Sequence, residues 1–90
     1  MRVTFDSEKR RLTLENRGLD FEDAPKVFAG KYFTRQDDRF DYGEVREIST
    51  GLLDNEVVVI VWTERDESRR IISMRKADRD ERGEYYDQLG

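Results

Sequence analysis

Arginine is the main chemical resource of this chain, and it is densest between Arg69 and Arg82. That window holds six basic residues (Arg69, Arg70, Arg75, Lys76, Arg79, Arg82) against three acidic ones (Asp78, Asp80, Glu81), a local charge of +3 on a chain whose net charge is −4. The rest of the sequence therefore carries −7. A guanidinium offers a rigid fork of N–H donors that matches phosphate oxygens. Arg70-Ile71-Ile72-Ser73-Met74-Arg75 reads as a strand feeding a helix, whose first amides add partial positive charge. Strand parity puts Arg69, Ile71, Ser73 and Arg75 on one face and Arg70, Ile72 and Met74 on the other. Such a junction suits one localised anion contact. The competing reading is a solvated edge strand whose arginines block aggregation, and composition alone favours it.

A second constellation precedes Arg46, where Asp41-Tyr42-Gly43-Glu44 brings carboxylates to the start of a strand. Arg46 suits a phosphate, and Glu44 or Asp41 a proton; a structural ion pair across the sheet is the alternative. The chain has no histidine and no cysteine, so proton transfer falls to carboxylates, Tyr, Lys or Arg with shifted pKa values. Disulfides, thiolate chemistry and ordinary zinc sites are excluded. The spacing of Asp37, Asp38, Asp41 and Glu44 fits no Mg²⁺ or Ca²⁺ loop, so no metal or cofactor is expected. Arg65, at a strand exit, extends the basic zone. Trp62 reads as core rather than a base-stacking platform. Of Tyr85 and Tyr86, at least one should be core, leaving the other beside Arg75. The triplet Lys9-Arg10-Arg11 reads as a solvated helix face.

The elements that must position these groups follow from the same pattern. Val3 to Phe5 is a short strand. Residues 7–17 are either a helix capped by Asp6 or Ser7 and stopped at Gly18, or a hairpin, since Arg11 to Glu15 alternates with period two. Asp20 caps a second helix with Asp23 at its third position, and Leu19 can staple onto Ala24. Pro25 shortens or kinks that helix, which ends near Gly30. Strands follow at Lys31 to Arg35 and Val45 to Thr50, separated by the turn-rich stretch Asp37 to Gly43. Gly51 to Asn55 is a turn, and Val57 to Trp62 is a central strand buried on both faces. Glu64 to Ser68 turns the chain into the last strand. Asp78 and Glu81 make a capping box for a final helix, with Arg82, Tyr85, Tyr86 and Leu89 on one stripe. The order β-α-α-β-β-β-β-α predicts an α+β domain, an antiparallel sheet packed by two N-terminal helices and one C-terminal helix.

Ninety residues suit one domain, 1–90. Net negative charge argues against a protein that coats DNA nonspecifically. The opening residues hold no apolar run of signal-peptide length, and the longest run, Val57 to Trp62, is far below the roughly 20 residues that span a bilayer. A small domain without disulfides points to a reducing compartment, so a cytoplasmic protein without membrane contact is expected.

Taken in order, these segments resemble the BrnT family, the ribonuclease half of a bacterial toxin–antitoxin pair with a RelE-like fold. The likeness runs through Phe5-Asp6 with Lys9, then Arg17 to Ala24 with Val27-Phe28, Asp38 to Arg46, Val59 to Arg65, and Arg70 to Ala77, followed by Glu81 and Tyr85. Many relatives end the first helix in Lys-His-Gly; here the ending is Asn16-Arg17-Gly18, and Thr13 replaces the usual asparagine. The resemblance implies a helix over 7–17. It also implies a metal-independent endoribonuclease, silenced by a cognate BrnA-like antitoxin of ribbon-helix-helix type through which DNA is met only indirectly. On that reading a ribose 2′-OH attacks the adjacent phosphodiester. Arg46 and Arg75 clamp the phosphate, Arg65, Arg70, Lys76 and Ser73 support substrate, Glu44 is the general base and Tyr85 the proton donor. The alternative is a non-catalytic module that still binds the antitoxin.

Overall fold

The computed structural model describes residues 1–39 and 41–90; Phe40, within the turn-rich stretch and the family-like segment, lies outside the described residues. A five-stranded sheet carries the molecule, in the order β1-β5-β4-β3-β2. Its strands are β1 (Val3–Phe5), β2 (Tyr32–Gln36), β3 (Glu47–Leu53), β4 (Glu56–Arg65) and β5 (Ser68–Lys76). Among the described residues three helices accompany it, α1 (Ser7–Arg17), α2 (Ala24–Phe28) and α3 (Arg79–Leu89), with a 3₁₀ turn at Phe21–Asp23. The sheet is mixed rather than antiparallel, because β1 pairs parallel to β5. The chain leaves β1 through helices and returns only after the β2–β4 meander, so first and last strands run side by side in one direction.

Local chemistry explains most element boundaries. Asp6 caps α1 by accepting from the amides of Glu8 and Lys9, and Gly18 closes it in the left-handed region. The hairpin alternative for residues 7–17 is thereby settled in favour of helix. Pro25 falls in the first turn of α2, where a missing N–H costs nothing, so it does not kink the helix, which is short as expected, five residues ending at Phe28. Gly51 belongs to β3 rather than to a turn, since only Asp54 and Asn55 turn the chain, both at positive φ. A Cβ on Gly51 would lie 2.7 Å from Val27 Cγ1, so the glycine lets α2 approach the sheet. Asp66 and Glu67 make the corresponding turn from β4 to β5.

The two sheet faces differ. On one, Leu19, Phe21, Ala24, Val27 and Phe28 pack over Val58, Ile60, Trp62, Ile71 and Met74. Trp62 is core there, its indole N–H donating to Ser49 Oγ at 2.8 Å. On the other, Tyr85 and Leu89 of α3 cover Val57, Val59, Phe33, Ile48 and Leu52. Strand parity in β5 fails at one place. Val61 pairs with Ser73 but Trp62 pairs with Ile71, leaving Ile72 as a bulge residue. Ile71 and Met74 therefore share the α2 face. Arg69 and Arg75, assigned by parity to one face, lie on opposite ones. Arg69 stacks between Phe28 (4.5 Å) and Trp62 (4.1 Å) on the α2 side.

Candidate active-site cleft

The α3 face is only partly covered, and its open half forms a cleft of about 550 Å³. A row of register partners crosses its floor, Arg35 to Ile48, Ile48 to Val61 and Val61 to Ser73. Arg75, Val59 and Glu81, together with Gln36, Asp37, Asp38 and Arg39, complete the lining. The bulge at Ile72 puts Ser73 in this row and Arg75, the partner of Val59, on the same face.

Each cleft arginine is held differently. Arg75 donates from both terminal nitrogens to Glu81, at 2.6 and 2.8 Å. Glu81 also accepts the amide of Asp78, completing the capping box that starts α3. Those bonds, Arg75 first, hold the Glu81 carboxyl down at about 2. Arg39 grips Asp37 at 2.8 and 2.9 Å, and the Tyr42 hydroxyl donates to the same carboxylate. The Asp37 side chain is 2% exposed, and the Arg39 bonds, with the Tyr42 donation, bring its carboxyl to about 2. Arg35 forms no ion pair among the described residues. Neither does Asp38, which makes it the cleft-lining carboxylate there without a guanidinium partner.

A neighbouring depression shares Gln36, Asp37 and Asp38 with the cleft and is completed by Asp41, Tyr42, Glu44, Val45 and Arg46. Arg46 stacks on the Tyr42 ring at 3.8 Å and reaches Glu44 at 3.4 Å. Arg65 donates to the other Glu44 oxygen at 2.9 Å. These bonds, Arg65 first, lower the Glu44 pKa. Among the described residues no three carboxylates are placed to share a cation.

The sequence-predicted residues thus fall into separate groups. Arg75 and Ser73 meet in the cleft, while Glu44, Arg46 and Arg65 form a second cluster beside it. Arg70 shares the cleft's face but not its lining, pairing in register with Thr63 and Thr4. Lys76 follows the alternation to the other side and pairs with Glu56 at 3.3 Å. Tyr85 is 2% exposed, its hydroxyl donates to the Lys31 carbonyl at 2.9 Å, and burial raises its pKa. Tyr86 is the exposed member of the pair. Sequence reasoning passed over Arg35, Arg39 and Asp38 as cleft residues. Only the β2–β3–β4–β5 register, which no local pattern encodes, places Arg35 in one row with Ser73, across Ile48 and Val61.

Residues 5–81 match the family model of the ribonuclease toxin, BrnT, of type II toxin–antitoxin systems. The chain belongs to the BrnT family. No curated protein matches it. The family is one of ribonucleases paired with an antitoxin, and the BrnT match takes in the last residue of β1, all of β2 to β5 and every cleft residue. No helix among the described residues is long and apolar enough to cross a membrane.

The Glu81 clamp has a pH signature. Unfolded, the carboxyl takes its proton near the ordinary 4.5; folded, near 2. A depressed folded value stabilises the fold above the unfolded pKa, and that contribution is lost as pH falls through the folded one. Melting temperature should therefore drop more steeply for wild type than for Glu81→Gln between about pH 5 and pH 2. Parallel curves would show that the clamp contributes nothing to stability.

Proposed function

We propose that this chain is an endoribonuclease toxin of RelE-like architecture, acting in the cytoplasm, whose cleft cleaves RNA without a metal. The observation that carries the reading is the convergence of Arg35, Arg39 and Arg75 over a floor that ends in Ser73, in a chain otherwise rich in acid. The ribose 2′-oxygen attacks the adjacent phosphorus as its proton leaves to a carboxylate. The P–O5′ bond breaks, giving a 2′,3′-cyclic phosphate and a 5′-oxygen that takes up a proton. Arg75 and Arg35 stabilise the charge that grows on the non-bridging oxygens, the interaction that usually supplies the largest share of catalysis. Arg46 takes the neighbouring phosphate, with Arg65 and Arg70 as outer cations.

A carboxylate held below its ordinary pKa is a weak proton acceptor. Glu44 therefore serves better as the anchor that orients Arg46 and Arg65, and Asp38 is the cleft carboxylate left for the 2′-OH. A cognate BrnA-like antitoxin of ribbon-helix-helix type silences the enzyme. Purified protein incubated with total RNA in EDTA should yield fragments with cyclic-phosphate 3′ ends, and added antitoxin should abolish them. Intact RNA alongside retained antitoxin binding would replace the enzyme by a non-catalytic binding module.

A further inference from the structure

The chain carries a second cationic surface outside the cleft and the Arg46 cluster. A groove between α1 and β5 is lined by Lys9, Leu12, Thr13, Asn16, Arg17, Ile72 and Ser73. Lys9, Leu12, Thr13 and Asn16 fall at i, i+3, i+4 and i+7, one stripe of α1. On most helices the stripe turned toward the sheet is apolar, because packing of that face supplies most of a helix's stability. The groove stripe of α1 is instead largely polar and exposed, with only Thr13 half-buried, and α1 buries no residue.

Charge separates this groove from its neighbours. Arg10 pairs with Asp20 and Glu22, and Arg11 with Glu8 and Glu15, which absorbs the other basic groups of α1. Lys9 and Arg17 have no ion-pair partner among the described residues. No carboxylate lines the groove, whereas the cleft balances Arg35, Arg39 and Arg75 against Asp37, Asp38 and Glu81. Asp6, which lies in the field of Lys9, is occupied by the amides of Glu8 and Lys9. Arg17 is fixed by a single bond from Nη1 to the Met74 carbonyl at 2.9 Å. That bond satisfies a carbonyl on the β5 edge beyond the reach of β1 and leaves most of the guanidinium donors unspent.

Ser73 belongs to both linings, so the groove opens from the cleft floor around the β5 edge. We infer that Lys9 and Arg17 form a flanking phosphate subsite, which holds the RNA backbone beyond the scissile bond as it leaves the cleft. The inference rests on the ribonuclease reading of the cleft. Continuity through Ser73 favours RNA over an acidic protein segment. A cationic track of this kind follows the strand without reading its sequence.

Binding of uncleavable 2′-O-methyl oligonucleotides, followed by fluorescence anisotropy, tests the subsite. A trinucleotide fills the cleft alone, and a nonanucleotide reaches the groove. Lys9→Gln/Arg17→Gln should weaken nonanucleotide binding roughly tenfold or more and lower its salt slope by about 1.4, or 0.7 for each lost phosphate contact. Trinucleotide binding should stay unchanged, and Lys9→Arg/Arg17→Lys should restore the longer probe. Equal nonanucleotide affinity for wild type and the double glutamine variant overturns the subsite and leaves the cleft standing. The same equality together with lost binding of an oligo-glutamate peptide reassigns the groove to a protein partner, which also overturns it. No binding of either probe by wild type overturns the ribonuclease reading, and the subsite falls with it.

Discussion

An Arg75→Ala variant is expected to lose about 100- to 1000-fold in kcat/KM for RNA cleavage, the cost of removing a preorganised donor from a developing oxyanion. Arg75 is preorganised because Glu81 takes two of its N–H donors while the Asp78 amide fixes Glu81 in turn. The guanidinium therefore needs no reordering when phosphate arrives, and the donors it does not spend on Glu81 or, through Nη1, on the Lys76 carbonyl at 3.4 Å are available to the phosphate. Arg75→Lys should recover little, since an ammonium cannot hold Glu81 with two parallel bonds and serve the substrate at once. Stability should fall only modestly, by the part of the Glu81 clamp that Arg75 supplies. The Arg75 side chain is 45% exposed, and exposed pairs contribute little. Single-turnover cleavage with matched circular dichroism separates the two effects. Wild-type rates from a folded Arg75→Ala protein would remove Arg75 from the mechanism.

The features legible in the sequence are those set by neighbours in the chain. Asp6, Gly18, Asp20, Asp78 and Glu81 mark helix ends because capping is a contact over two or three residues. Val57 to Trp62 reads as a central strand because burial on both faces demands an apolar run. What stayed hidden depends on pairing between distant segments. The bulge at Ile72 leaves no mark in Arg70-Ile71-Ile72-Ser73-Met74-Arg75, yet it decides that Arg75 faces the cleft while Arg69 lies among Phe28 and Trp62. The parallel place of β1 follows from where the last strand ends, which three residues cannot announce. Arg35 stood out in no local pattern, and it is the register that puts it in the row that ends at Ser73, with Asp38 in the same cleft lining as Arg75. The Lys9–Arg11 triplet read as one solvated face, whereas Arg10 and Arg11 are paired and Lys9 is not. In each case the residue type was visible and its companions were not.

Phe21→Ala is expected to cost about 3–5 kcal/mol, the usual penalty for emptying a large aromatic site in a core. Phe21 is 1% exposed and meets Phe5 edge-on at 5.9 Å, inside the cluster that seats α2 on the sheet. Against a total of roughly 5–15 kcal/mol for a domain, that loss would leave a visible unfolded population. Leu14→Ala is the matched control. Leu14 is 44% exposed on a helix that buries no residue, so its removal should stay within about 0.5 kcal/mol. Urea midpoints at unchanged slope measure both, and similar midpoints would mean that the core does not lie under α2. The cleft lies on the opposite face, floored by Ile48, Val61 and Ser73 and flanked by the Tyr85 cluster. Cleavage per folded molecule should therefore survive Phe21→Ala while the folded fraction falls. A loss of specific activity beyond that fraction would mean that the α2 core sets the geometry of the arginines across the sheet, with β5, whose Ile71 and Met74 belong to that core, as the element that transmits it.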